Sequence, residues 1–253
     1  MMDSILGIMG AMPEEIKGIA DLLENRKEVV LGQRTYYTGT LKGKPVVVVF
    51  SRWGKVAAAT TVTTLILRFG ITELLFTGVA GGFHPELKIG DVVIASRLIQ
   101  HDMDSRPILP RFEIPLEGIS FFEADSRLVQ KAERLLKERT VPSVFHSWLD
   151  EEYRHAFNVQ APIVWVGDIA SGDRFIADPD DKAELQRLLP SVICVEMEGA
   201  AVAQVCYEYK IPYAVIRTIS DTADHNSPVD FPSFIRHVAS RYSLEIVNSW
   251  VED

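Results

Sequence analysis

Residues 5–15 read ILGIMGAMPEE. An apolar run over 5–9 with strand character turns at Gly10-Ala11, and Pro13 follows at the first position of a helix, where its missing N–H costs nothing. Glu14 and Glu15 then fall in the first helical turn, where negative charge is favoured, and Ile16, Ile19, Leu22 and Leu23 supply an apolar face. A strand turning straight into an amphipathic helix is the repeating unit of an α/β fold. The unit recurs along the chain. Strand-like runs lie at 46–50, 73–76, 91–95, 163–166, 192–195 and 213–216, and helical patterns at 55–68, 125–138, 180–189, 199–210 and 231–251. Residues 33–45 read as an antiparallel hairpin about a Lys42-Gly43 turn, so the central sheet is expected to be mixed. The reading is one α/β domain over residues 1–253, a mixed sheet flanked by helices, with loops at 104–118 and 141–162.

The chain has 253 residues, 47% hydrophobic and 24% charged, which suffices for one large core. Its net charge of -9 argues against nucleic acid, whose phosphates call for a basic face; a small neutral or cationic ligand fits better. The longest apolar runs, such as 45–50, are far shorter than the roughly 20 residues of a membrane helix. The first residues include Asp3 and no basic region, which reads as cytoplasmic rather than secreted. Cys194 and Cys206 are the only cysteines and sit in apolar surroundings, so neither a disulfide framework nor a zinc site is expected, and no metal or cofactor is called for.

In open α/β sheets, ligands bind beyond the carboxyl ends of the strands. Five such ends carry chemistry. The first offers Glu14 and Glu15, which either complement the helix dipole or, one of them, face a pocket. At the second, Val79, Ala80 and Gly81 lie in TGVAGG, which lacks the spacing of a dinucleotide loop and reads equally as a plain turn. The third is VEME, where Glu196 and Glu198 flank Met197 at the end of an apolar strand. Buried carboxylates need partners, and these could be a ligand hydroxyl, an arginine or backbone donors. The fourth holds Arg217, Ser220 and Asp221, with Asp221 a ligand group or a turn cap. The fifth adds Phe175 and Ile176 after Ser171-Gly172-Asp173, where a core aromatic is the plainer reading of Phe175.

In order, GAMPEE, TGVAGG, KIGDVVIAS, SGDRFI, VEMEGAAVAQVC and VIRTISDTAD resemble the methylthioadenosine/S-adenosylhomocysteine nucleosidase branch of the purine nucleoside phosphorylase superfamily. The resemblance implies hydrolysis of an N-ribosyl adenine. That reaction needs a protonated leaving base, a stabilised oxocarbenium-like sugar and an activated water. By motif, Asp221 would be the general acid at adenine N7, oriented by Ser220 and working only if its pKa rises toward neutrality. Glu15 would be the base that activates water. Glu198 would hold the ribose hydroxyls beside Met197, with Arg217 completing the water and sugar network. Phe175 would stack on adenine and the Ile176 backbone would bond its edge. Val79, Ala80 and Gly81 would floor the pocket, and Phe231 would cover the alkylthio side. The resemblance also implies a homodimer, with Arg106, Phe112 and Pro115 as candidates to reach the partner's site. Residues 141–162 look like an insertion relative to shorter members, and Arg52-Trp53 stands where the family more often has a small and an aliphatic residue.

Three other readings stay open from the residues. A phosphorolytic enzyme of the same fold would need a cationic phosphate site, to which Arg52 and Arg217 could contribute, whereas a carboxylate at Glu15 would repel phosphate. A nucleosidase for another adenine nucleoside, such as an aminofutalosine-type compound or 5'-deoxyadenosine, is the second. A nucleoside-binding module without turnover is the third, and it would have no use for an acid and a base together.

Overall fold

A computed structural model describes residues 4–222 and 231–253. The chain opens with β1 (Leu6–Gly10), α1 (Pro13–Asp21), and three strands β2 (Glu24–Leu31), β3 (Arg34–Leu41) and β4 (Lys44–Phe50). Next come α2 (Lys55–Phe69), β5 (Glu73–Gly82), β6 (Val92–Gln100), β7 (Phe121–Glu123), α3 (Ser126–Arg139), α4 (Pro142–Phe145) and α5 (Glu151–Ala156). The remainder is β8 (Val164–Ser171), α6 (Pro179–Leu188), β9 (Val192–Glu196), α7 (Gly199–Tyr209), β10 (Tyr213–Asp221), α8 (Phe231–Phe234), a π-helical stretch over Ile235–Ala239, and α9 (Ser240–Glu252). The expected C-terminal helix is thus present but interrupted by that π-helical stretch.

The sheet is mixed, as the hairpin implied. β1 pairs in parallel with β4 and β5, and β5 with β10, whereas β2, β3 and β4 are antiparallel to one another. Through β10–β6, β6–β8, β8–β9 and β9–β5, five strands close into a ring. Continuous apolar strands follow from a sheet covered on both faces. Alternate side chains of β1 and β4 go to opposite cores: Ile8, Val46 and Val48 pack with α1, α3 and α9, while Met9, Val47 and Val49 pack with α2 and α7. The Lys42-Gly43 turn has φ 51° and 78°, the left-handed pair of a tight hairpin.

Two expectations are corrected, and one strand was not anticipated. TGVAGG is not a turn after β5 but its second half, because Thr77 to Gly81 pair with β10; Gly78 must be small there, since a Cβ would stand 2.8 Å from that of Ala11. β2 reads ENRKEVVL, largely charged and exposed, a pattern an edge strand tolerates and apolar periodicity misses. Residues 141–162 are not a bare loop. They fold into α4 and α5 and bury Phe145, Trp148, Leu149 and Val159 in the core, with Phe157 edge-on to Phe234 at 5.4 Å and Tyr153 stacked on His237 at 4.0 Å. Segment 104–118 holds no helix or strand, as expected. Among the described residues, no helix is long and apolar enough to cross a membrane.

Candidate active site

β1, β5 and β10 end side by side, and β9 joins them antiparallel, with Val195 opposite Gly81. At these ends lies a cavity of about 250 Å³. Val79, Ala80, Gly81, Ile176, Ser220 and Asp221 line it, with Phe175 half exposed and edge-on to Phe231 at 6.3 Å. Met197 and Glu198 line it as well.

A one-residue slip builds the acid. Ile219 pairs with Ala80 but Asp221 with Gly81, so Ser220 is an extra residue in β10, and such a bulge re-aims the side chains beside it. The Ser220 hydroxyl lies 2.8 Å from Asp221 Oδ2, and Asp221 is buried.

The two acids of VEME part company. Glu196 Oε2 accepts from Arg217 Nη2 at 2.8 Å and from the Glu198 and Gly199 N–H groups, and Oε1 from Gly199 N–H and the Ser171 hydroxyl. It borders the cavity, yet its oxygens are already engaged by the N-terminus of α7 and by arginine. The arginine and backbone donors named as its possible partners are both present. Arg217 is fully buried, also donates to the Phe76 and Ile216 carbonyls, stacks on the Phe76 ring at 4.1 Å, and is not among the residues that line the cavity. Glu198 lines the cavity and accepts the Gly54 N–H at 2.9 Å. Burial, then the charge of Glu196, pushes its pKa above the ordinary carboxylate range.

Glu14 is exposed and Glu15 buried. Glu15 Oε2 accepts the Met12 N–H at 2.8 Å, the capping contact expected of a first-turn acid, while Oε1 is buried with no hydrogen-bond partner. Burial pushes Glu15 up to about 7, partly offset by the Met12 N–H and by the Arg217 charge. A carboxyl near neutrality with one uncommitted oxygen suits proton transfer at physiological pH. Glu15 does not line the cavity directly; it sits at the foot of α1 beside Met12, which does.

Five cavity residues were not identified as such from sequence: Ala11, Met12, Trp53, Arg174 and Val195. Trp53 lies just after β4, whose pairing with β1 brings it to the same edge. The loop carrying Phe175 is tied to α2 by Lys55 N–H to Asp173 at 2.8 Å and by Asp102, which accepts from Lys55 Nζ at 2.6 Å and Asp173 N–H at 3.0 Å. Arg106 and Pro115 are exposed, whereas Phe112 is buried in a cluster that includes Ile176. Among the described residues, no cluster of His, Cys, Asp and Glu could hold a metal ion.

Fold and site define an α/β enzyme with a nucleoside-sized cavity at the ends of β1, β5 and β10. The chain belongs to the phosphorylase superfamily, whose family model matches residues 5–251. Within that superfamily it is 35% identical over 250 residues to the 5'-methylthioadenosine/S-adenosylhomocysteine nucleosidase of Anoxybacillus flavithermus, covering 98% of both chains. It is 33% identical over 242 residues to that of Shewanella denitrificans, covering 96% of both. It superposes on the Neisseria meningitidis nucleosidase of that name, in complex with methylthio-immucillin-A, with a TM-score of 0.85 at 32% identity over 98% of this chain and 99% of that one. The futalosine hydrolase of Helicobacter pylori strain 26695 gives a TM-score of 0.84 at 34% identity over 99% of this chain and 98% of that one.

Proposed function

We propose that this chain hydrolyses the N-glycosidic bond of 5'-methylthioadenosine and S-adenosylhomocysteine, releasing adenine and the thioribose. The observation that carries this reading is the pair of buried carboxyls, Glu15 and Asp221, of which Glu15 titrates near neutrality with an oxygen left for a ligand. Asp221, held by Ser220, delivers a proton to N7 of adenine, while Phe175 stacks on the base and the Ile176 backbone bonds its edge. Glu198 holds the ribose hydroxyls beside Met197, and Phe231 covers the thioether. Glu15 Oε1 takes a proton from the water that attacks the anomeric carbon. Arg217 acts at one remove, locking Glu196 and, through its charge, lowering the Glu15 pKa from what burial alone would set.

Water rather than phosphate is favoured as nucleophile by the fate of the two candidate arginines. Arg217 is committed to Glu196, and Arg52 donates to the Gln33 carbonyl at 2.6 Å. The enzyme acts in the cytoplasm, in methionine salvage, as a homodimer in which Arg106 and Pro115 reach the partner's site; a fully active species that sediments as a monomer would contradict the dimer.

The test is adenine release from methylthioadenosine in phosphate-free buffer and then with phosphate added. Release without phosphate, with free methylthioribose as the sugar, is expected. Release only with phosphate, giving a sugar 1-phosphate, would contradict the hydrolase.

A further inference from the structure

Trp53 occupies a wall of the cavity that the chemistry above leaves without a task. It follows Arg52, whose φ is 61°, and precedes Gly54, whose φ is 86° and where a Cβ would stand 2.8 Å from Asp173 Oδ1. The turn is therefore held in a left-handed conformation that non-glycine residues adopt only when their surroundings fix it. Two bonds fix it from within the site: Gly54 N–H to Glu198 at 2.9 Å, and Lys55 N–H to Asp173 at 2.8 Å. The indole is pinned at one edge, where Nε1 donates to the Ala11 carbonyl at 3.2 Å with Met12 Sδ at 3.3 Å. Trp53 as a whole is 64% exposed, although it lines the cavity. An indole anchored by its nitrogen, largely exposed and lining a cavity is available for contact with a ligand.

What the indole meets follows from the site. With the base between Phe175 and Asp221 and the ribose on Glu198, the part of the cavity bounded by Met12 and Trp53 remains for the group on the 5' carbon. We propose that Trp53 is the specificity-determining residue for that group, and that its exposed face favours adenine nucleosides bearing a planar aromatic 5' thioether over those with a small alkyl one. This rests on the nucleosidase reading of the site. Stacked or edge-on aromatic pairs gain about 0.5–1.5 kcal/mol beyond their buried area, equivalent to roughly twofold to tenfold in selectivity.

The experiment compares kcat/KM for 5'-phenylthio-5'-deoxyadenosine and methylthioadenosine, each relative to 5'-deoxyadenosine, which has no 5' substituent. In the wild type the phenylthio compound is expected to be the better substrate. Trp53→Leu, which keeps apolar bulk but removes the flat face, should lower the phenylthio-to-methylthio ratio about threefold to tenfold, chiefly through KM. Trp53→Phe should restore most of it. A ratio unmoved by Trp53→Leu would overturn the proposal while adenine release left the nucleosidase reading intact. No release from any of the three nucleosides would overturn that reading, and this proposal with it.

Discussion

The polar knot around Glu196 at the cavity wall and the Glu15 carboxyl at the foot of α1, just off the cavity, are opposites. In the knot, Glu196 is saturated by arginine, a serine hydroxyl and the amides that open α7. At the foot of α1, Glu15 retains an uncommitted oxygen and a carboxyl raised to about 7 by burial. Both are buried acids. What separates them is how many donors meet each oxygen: a fully satisfied carboxylate stabilises the fold and offers a ligand nothing, while an under-satisfied one costs stability and is available for chemistry.

The contrast is broken or sharpened most strongly at Asp221. Asp221→Asn removes the proton that must reach the base, so turnover should fall by roughly 10²- to 10⁴-fold while an adenine nucleoside still binds; single-turnover rates and equilibrium binding check this, and near-normal turnover would end its assigned role. The knot should answer in stability instead. Arg217→Met strands a buried Glu196 charge, and loss of one partner of a buried pair costs about 3–5 kcal/mol, read as a lower urea midpoint. A variant as stable as wild type would show that the pair is not structural.

A third test uses pH. Because burial raises Glu15 in the folded state, folding takes up a proton there; the associated stability is present below its ordinary value of 4.5 and is lost as pH rises through about 7. Each pKa unit is about 1.4 kcal/mol, so ionising Glu15 should cost the wild type about 3 kcal/mol between pH 5 and pH 8 relative to Glu15→Gln. Urea titrations of both proteins at the two pH values check this. The same ionisation should make kcat/KM climb with pH through about 7. The smallest effect is expected away from both regions. Phe157→Ala, which removes the edge contact of the 141–162 segment on Phe234, should cost about 1 kcal/mol and raise KM modestly through the helix that carries Phe231.

The strand-to-helix units were legible because each pairs an apolar run with a turn and an amphipathic helix, as in residues 5–15 and 46–68. β2 was not, since its charged edge pattern carries no apolar period. The two short helices of 141–162 were hidden because their burial depends on aromatic contacts with Tyr242 and Phe234, distant in sequence. In the site, motif order gave Glu15, Glu198 and Asp221 as candidates, but not that Arg217 would turn away to Glu196. That partnership spans 21 residues and forms only when β9 and β10 reach the same end of β5. Trp53 lay outside every motif, and only the pairing of β4 with β1 brings it to the cavity.

The most direct measurement is the turnover of methylthioadenosine by Glu15→Gln in buffer with and without phosphate, alongside its affinity for methylthio-immucillin-A. If Glu15 activates the water, hydrolysis should drop by about two orders of magnitude or more, phosphate should not restore it, and the inhibitor should still bind. Wild-type rates in the variant, or activity regained with phosphate, would contradict the division of labour between the saturated and the unsatisfied carboxylates.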